Sequence, residues 1–387
     1  MQFTLFFPLP GESAAIEERY AYRQCQLLLS ADGPATVLYS TEQSRASMLA
    51  AATTTDFVLV VTDGLSVPAP GIIGKLAAAL EAHPHAVAAV PVTNESENPR
   101  QVRTPPSPYL TLRQFENVGA SIGQETAMHV GLEWDRADPL LFLARTMHLR
   151  AQDLPLDEVL QGSPVVLVSN AYAHRYSSLR GQIRADLLER VSSRAGSILE
   201  FGCGEAALGA ALKERQPCRV VGVELDKEAA AVARTRIDVV HSGDVRDLVE
   251  TIDETFDWII GGDILEHLDD PWTFLTRLRR LSAPDGRLLL SLPNIASWPI
   301  VADLLQGRFD YLYMGITCAG HLRFFTRRSI REMLEMTGWE AVSVEPQESF
   351  RTAEFSELEE KLKHSGIDYS EADLLTPGYY VLARNPS

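Results

Sequence analysis

The first part of the chain alternates strand and helix signals. FTLFF (3–7) and TDFVLVV (55–61) are short apolar runs rich in β-formers, closed by Pro or by Asp-Gly. GIIGKLAAALEAHP has apolar residues at helical spacing, with Pro84 as its stop. AVAAVPV predicts a further buried strand, and SPVVLVSNAYAH a last strand pair. From Pro91 to Tyr109 the chain is polar and carries five prolines, which predicts a long loop or a mobile segment.

Past Tyr176 the signals fall into a stricter order. SSLRGQIRADLLERVSS predicts a helix capped by Ser177 or Ser178, with Ile183, Leu187 and Val191 on one face. SILEF, CRVVGVEL, IDVVHSG, FDWIIGGDIL and GRLLLSLP follow, each nearly continuous in apolar residues. Strands covered on both faces of a parallel sheet have this composition. DDPWTFLTRLRRLS has an Asp cap, Pro271 in its first turn, and Phe274, Leu275, Leu278 and Leu281 on one face. TRRSIREMLEMTGW ends at Gly338, a left-handed stop. WEAVSVEP and GYYVLARN complete the series as strands, with a charged helix near Ser356–His364 between them. No internal repeat is present. The change of pattern predicts an α/β domain over residues 1–175 and a second over 176–387.

Composition narrows the partners. Hydrophobic residues make up 45% of the 387 and charged ones 22%, so globular cores are expected. Acidic side chains outnumber basic ones 52 to 35, and the excess holds in both parts: 18 to 11 through Arg175 and 34 to 24 beyond it. Phosphate backbones require clustered Lys and Arg, so nucleic acid is not an expected partner. Cys25, Cys203, Cys218 and Cys318 lie without a CxxC pair or metal-ligand spacing, and are expected as reduced thiols with no metal assigned. The apolar start lacks a basic n-region and no apolar run reaches the length of a membrane span, so a cytoplasmic protein is expected. The oligomeric state is left open.

The chemistry concentrates in ILEFGCGEAALG (198–209), a buried strand that breaks into a glycine turn and opens a helix. Glycines let the backbone approach a ligand closely at a helix N-terminus. The run also satisfies the dinucleotide pattern, with Ala207 at its third position. Glu200 separates the two readings, because a carboxylate beside the turn repels a diphosphate and attracts a cationic amino acid. Glu224 ends the next strand, where an acid can accept both hydroxyls of a ribose, and Asp244 ends the third, placed to accept from an adenine amino group.

ILEFGCGEAALG, VVGVELD, SGDV, FDWIIGGDILEHLDDP, GRLLLSLPN and HLRFFTRRSIREML…TGW closely resemble the class I S-adenosylmethionine-dependent methyltransferases over nearly all of residues 176–385. The resemblance implies a Rossmann-like seven-stranded sheet, with GYYVLAR inserted antiparallel beside EAVSV. It implies S-adenosyl-L-methionine as cofactor. Glu200, Gly202, Cys203 and Gly204 would surround its methionine part, and Glu224 with Leu225 the ribose. Asp244 with the Val245 backbone would hold the adenine, and Asp263 would lie near the methionine amine. Where the family has a third glycine this chain has Ala206, which is tolerable at negative φ. His267 and His321 are the candidate bases, and Trp298, Phe309, Tyr311 and Tyr313 offer rings to an acceptor. Related proteins often carry an Asp where this chain has Cys318.

The first part is similar to the family 2 glycosyltransferases, in ASMLAAATTTDFVLVVTDGLSVPAPGIIGKLAAALEAHPHAVAAVPV and in DPLLFLARTMHLR…SPVVLVSNAYAH. That resemblance implies a smaller glycosyltransferase A-like α/β domain whose Asp-x-Asp would hold a metal on a sugar diphosphate. Asp63 stands in VTDGL without an acid two places away, so the site is expected to be degenerate. His174 matches a late metal-ligand position, and Asp157 or Glu158 falls where a base would be sought. The joined resemblances lead to an expected sugar or glycan acceptor, in a surface polysaccharide or its precursor. Methylation of a small aromatic or quinone-like molecule, and a non-catalytic glycan-binding or interaction scaffold, are the two rival expectations.

Overall fold

The computed structural model describes the chain except for residues 1, 12–13, 41–53, 63, 106–108, 150–159, 177–180, 350 and 387. It divides into two compact units, Met1–Ser177 with Asp310–Ala319, and Ser178–Phe309 with Gly320–Ser387. The expected cut near Tyr176 is therefore accompanied by a short segment, Asp310–Ala319, that belongs to the first unit although it lies late in the chain. Among the described residues no helix is long and apolar enough to cross a membrane.

The first unit is built on β1 (Phe3–Pro8), β2 (Thr36–Ser40), β3 (Phe57–Val61), β4 (Ser66–Pro68), β5 (Ala88–Thr93), β6 (His129–Glu133), β7 (Leu141–Arg145) and β8 (Pro164–Arg175). They form one mixed sheet in the order β2-β1-β3-β7-β5-β8-β4, with β6 also paired to β8. Adjacent residues of β3 point to opposite cores: Val58 and Val60 join Val90, Phe142 and Leu167, whereas Leu59 and Val61 join Ala89, Leu143 and Val166. A strand apolar at every position, as β3 is, can be buried on both faces in this way. The helix Ile72–Ala82 packs Ile72, Ile73, Leu76 and Leu80 onto one of these faces.

Two expectations are corrected here. SPVVLVSNAYAH is a single long strand rather than a pair; β8 runs beside β5 with a register shift opposite Pro91 and Val92, and meets β6 early and β4 late. The polar loop begins after Thr93 and not at Pro91, because Pro91 and Val92 stay within β5.

The second unit carries β9 (Ser197–Phe201), β10 (Arg219–Glu224), β11 (Val239–Ser242), β12 (Phe256–Gly262), β13 (Ser282–Pro293), β14 (Glu340–Pro346) and β15 (Gly378–Arg384). The order is β11-β10-β9-β12-β13-β15-β14, parallel through β13, with β15 antiparallel to both of its neighbours. This is the seven-stranded sheet the motifs implied, including the inserted last strand. The order reverses between β9 and β12, and in open α/β sheets the crevice at the carboxyl ends beside such a switch receives ligands.

The helix predicted from Ser177 shortens to Ala185–Leu188, and Ile183 is exposed. Ser177 and Ser178 lie outside the described residues. Arg184 leaves helical geometry, at φ −79° and ψ 75°, while its guanidinium reaches Asp186, Asp263 and Ser291.

Candidate active site

The glycine turn is fixed by backbone bonds to the neighbouring strand: Gly202 and Cys203 N–H both donate to the Val223 carbonyl, at 2.8 and 3.1 Å. Gly202 has φ 69°, and a Cβ there would lie 2.2 Å from Ile264 Cδ1. Gly204 has φ 56° and donates its N–H to Glu224 Oε2 at 2.7 Å. Ala206 overturns the expectation of negative φ: it sits at φ 58° and ψ 36° as the N-cap of the helix Ala207–Arg215. The turn needs a left-handed residue to swing into that helix, and Ala supplies it at a strain of about 1–2 kcal/mol.

Three carboxylates follow the strands as the sequence placed them. Glu200, one residue before the end of β9, is buried, and its Oε2 has no hydrogen-bond partner. Burial pushes its carboxyl up to about 8, with the Gly209 N–H pulling the other way. Glu224 closes β10 and accepts from the Gly204 and Asp226 N–H groups, so its two oxygens face the turn and the following helix. Leu225 beside it is largely exposed, an apolar side chain on the rim. Asp244 caps the short helix Val245–Leu248 through the Arg246 N–H. The Arg246 guanidinium holds Asp244 below the usual carboxylate range and also reaches Asp269 at 2.8 Å. Cys203 is buried against Gly222, and burial pushes its thiol up.

Asp263 follows β12 at φ 54° and is gripped from two sides, by Arg184 Nη1 at 2.7 Å and by Ser291 Oγ at 2.9 Å. Arg184 also pairs in a bidentate fork with Asp186, at 3.0 and 2.8 Å. Burial works against the Arg184 charge, but the Asp186 and Asp263 carboxylates outweigh it and raise its pKa. Arg184 and Ser291 were not singled out in the sequence, because nothing local marks an arginine ahead of the first strand as a partner of an acid 79 residues later. A cation and an anion side by side suit the two ends of an amino acid, the carboxylate and the ammonium.

A second cluster forms just beyond. His267 lies on the turn Leu265–His267, and His321 stacks edge-on against it with ring centroids 4.8 Å apart. The two candidate histidines are thus brought together, and Glu266, which the sequence reading passed over, completes the group. Its side chain is 0% exposed and burial pushes its carboxyl well up. The signal available was its place between two singled-out residues in DILEHL.

The aromatic candidates disperse. Trp298 is buried with Phe355 and Leu374 as core. Phe309 meets Phe324 edge-on at 5.9 Å. Tyr311 and Tyr313 belong to the first unit, against Tyr20 and Tyr176, and the buried Cys318 thiol donates to the Tyr313 carbonyl there. Also in the first unit, His174 is enclosed edge-on by Tyr109, Phe115 and Tyr176, with the Tyr109 hydroxyl on its Nδ1. Burial lowers its pKa to about 4. Asp63, Asp157 and Glu158 lie outside the described residues.

Residues 172–344 match the family model described as a methyltransferase domain. A protein of Mycolicibacterium smegmatis named as an S-adenosylmethionine-dependent methyltransferase is 30% identical over 146 residues, covering 37% of this chain and 51% of its own. A ubiquinone biosynthesis O-methyltransferase of Dechloromonas aromatica is 28% identical, covering 29% and 51%. A ribosomal RNA small subunit methyltransferase C of Pseudomonas syringae is 32% identical, covering 35% and 37%. The chain thus spans about half or less of the length of these relatives. The ordered motifs, the strand order and the family match together identify the second unit as a class I S-adenosylmethionine-dependent methyltransferase domain.

Proposed function

We propose that this protein transfers the methyl group of S-adenosylmethionine to a hydroxyl of a sugar, in a surface polysaccharide or its nucleotide- or lipid-linked precursor. The observation that carries the cofactor part is the row of carboxylates at the carboxyl ends of β9, β10 and β11, joined by the Arg184–Asp263 pair beyond β12. A cationic, zwitterionic nucleoside is complementary to that arrangement; a diphosphate is not. Glu200, Gly202, Cys203 and Gly204 take the methionine part and Glu224 and Leu225 the ribose. Asp244 and Val245 take the adenine, and Arg184 and Asp263 the carboxylate and amine. His267 and His321 act on the acceptor hydroxyl, helping it lose its proton as the oxygen attacks the methyl carbon.

The sugar assignment rests on the company of the first unit, whose mixed α/β sheet accords with a glycosyltransferase-like scaffold. The enclosure of His174 by aromatic rings favours a unit that presents glycan or docks a partner over one that transfers sugar. The ubiquinone O-methyltransferase relative favours a second reading, with a small aromatic or quinone-like acceptor.

Calorimetry with S-adenosylmethionine tests the cofactor site. Wild-type protein binds it, and Glu224→Ala weakens binding by about 1–3 kcal/mol through lost charged hydrogen bonds. Absence of binding by the wild type would leave an interaction scaffold as the remaining reading, and normal binding by the variant would refute the ribose assignment. A methyl-donor assay against sugars, nucleotide sugars and catechols, read by mass spectrometry, separates the acceptor classes.

A further inference from the structure

We propose that Glu266, His267 and His321 hold a divalent metal ion of the zinc class, where no metal was expected from the sequence. One ligand atom from each lies within 4.8 Å of the other two, and among the described residues this is the one such group of His, Cys, Asp or Glu. His321 Nε2 stands 3.9 Å from Glu266 Oε1, too far for a hydrogen bond. Two ligands each about 2.1 Å from a shared ion stand up to about 4.2 Å apart, so the gap has the width an ion would bridge.

Glu266 supplies the independent observation. Its side chain is fully buried, and neither carboxylate oxygen meets a hydrogen-bond partner. A carboxylate taken out of water without a partner is strongly disfavoured, and native proteins resolve such a charge by pairing it or by coordinating a metal. His321 offers nitrogen on the side where that carboxylate is bare.

The backbone holds the three residues in place before any ion arrives. The Glu266 carbonyl accepts from the Leu322 and Arg323 N–H groups, at 2.7 and 3.0 Å, fixing the chain on the far side of His321. On the near side His267 Nδ1 lies 3.2 Å from the Gly320 carbonyl oxygen. A carbonyl only accepts, so Nδ1 carries the proton and the lone pair is on Nε2. Metal-bound histidines are oriented in the same manner, by an N–H given to a carbonyl or carboxylate. Glu266 is buried while His267 is exposed, which gives an ion an entry path from the His267 side.

The donor set selects the ion. Two imidazoles and one carboxylate with a further position open match catalytic zinc, whereas magnesium and calcium are held through oxygen ligands. On the methyltransferase reading, on which this use rests, the open position takes the acceptor hydroxyl. The ion lowers the hydroxyl pKa and its proton passes to water. The oxygen then forms its bond to the methyl carbon as the carbon–sulfur bond breaks, and the sulfonium leaves as a neutral thioether. His267 and His321 then serve as ligands to the ion, not as bases.

The test uses full-length protein stripped with a chelator and titrated with Zn²⁺, followed by calorimetry and by the visible spectrum after Co²⁺ substitution. One ion per chain is expected, with a tetrahedral Co²⁺ spectrum. Glu266→Gln should weaken Zn²⁺ binding by more than the roughly 10–100-fold that follows loss of a supporting partner. His267→Ala, at an exposed position, reads the same loss if the Gln variant fails to fold. No stoichiometric binding by the wild type, or wild-type Zn²⁺ affinity in both variants, would overturn the site. S-adenosylmethionine titrated into the same samples keeps the two claims apart: cofactor binding without zinc defeats this proposal alone, and zinc without cofactor supports it while defeating the methyltransferase reading.

Discussion

His174 in the first unit and His321 in the second stand near the carboxyl ends of their domains' strands or in the loops beyond, and their surroundings are opposite. Around His174 the protein has filled the space with Tyr109, Phe115 and Tyr176, and the ring nitrogen that faces Tyr109 is bonded to its hydroxyl. Around His321 it has placed a second imidazole and a buried carboxylate without a hydrogen-bond partner. Among the described residues, the buried carboxylate oxygens lacking a hydrogen-bond partner belong to Glu200, near the end of β9, and Glu266, on the turn after β12; the two strands are neighbours in the sheet. Stability alone would select against such orphans, since each costs on the order of 1–3 kcal/mol or more. The surroundings of His174 are closed by packing, whereas the two bare carboxylates of the second unit are placed to hold something.

Two left-handed glycines probe that contrast most strongly. Gly202 in the turn has φ 69° and no room for a Cβ beside Ile264, whereas Gly33 in the first unit has φ 70° with nothing within 4 Å. Gly202→Ala adds overpacking to backbone strain and should cost about 2–5 kcal/mol, together with most of the cofactor affinity. Gly33→Ala should cost only the strain, about 1–2 kcal/mol, and leave cofactor binding alone. Thermal melts with and without S-adenosylmethionine measure both. Equal losses would mean that the turn at Gly202 is no more constrained than an ordinary surface turn.

The His174 enclosure has a pH signature. A histidine whose folded pKa is lowered to about 4 from its usual 6.5 binds its proton more readily when unfolded. The stabilisation is therefore complete above about pH 6.5, falls as the pH drops through the window down to about 4, and amounts to a few kcal/mol at most. Hydrogen exchange at β8 amides such as Tyr172 and Ala173 should accelerate between pH 7 and pH 5 once corrected for intrinsic rates. In His174→Gln that acceleration should shrink. An unchanged wild-type profile would mean the ring binds its proton inside the box as readily as in the unfolded chain, and the contrast with the second unit would lose its electrostatic half.

How far these features could be read in advance follows from how local each one is. The five parallel strands of the second unit were legible because a strand buried on both faces is apolar throughout, and a Gly, Asp or Pro ends each run, although β11, at the sheet edge, is only half-buried. The carboxylates at strand ends were legible for the same reason, being fixed by the run that precedes them. The enclosure of His174 was not, since it depends on Tyr109 arriving from 65 residues away. Nor was Arg184, whose pairing with Asp263 competes with the helix that its own neighbours Ile183, Leu187 and Val191 would otherwise favour. Asp310–Ala319 reads as a polar-aromatic stretch within the methyltransferase pattern, and only the burial of Leu312 with the first unit's core shows where it belongs.

Ala206 offers the smallest and most diagnostic change. Its φ of 58° carries strain that a residue without a Cβ would escape, worth about 1–2 kcal/mol. Two effects oppose a gain from Ala206→Gly. The unfolded chain becomes freer, which costs about 0.4–1 kcal/mol. The methyl group, fully buried among Cys203, Leu208 and Ile237, is also removed from the core, which costs about 0.8 kcal/mol. The three nearly cancel, so the melting temperature should shift by no more than about 2–4 °C in either direction. Cofactor affinity should stay within about twofold, because the backbone N–H groups of the turn keep their positions. A clear rise in stability coupled to weaker cofactor binding would show instead that the strained alanine holds the turn in its binding shape. The second unit would then hold strain at its site as well as orphaned carboxyl groups, two departures from good packing where the enclosure of His174 shows neither.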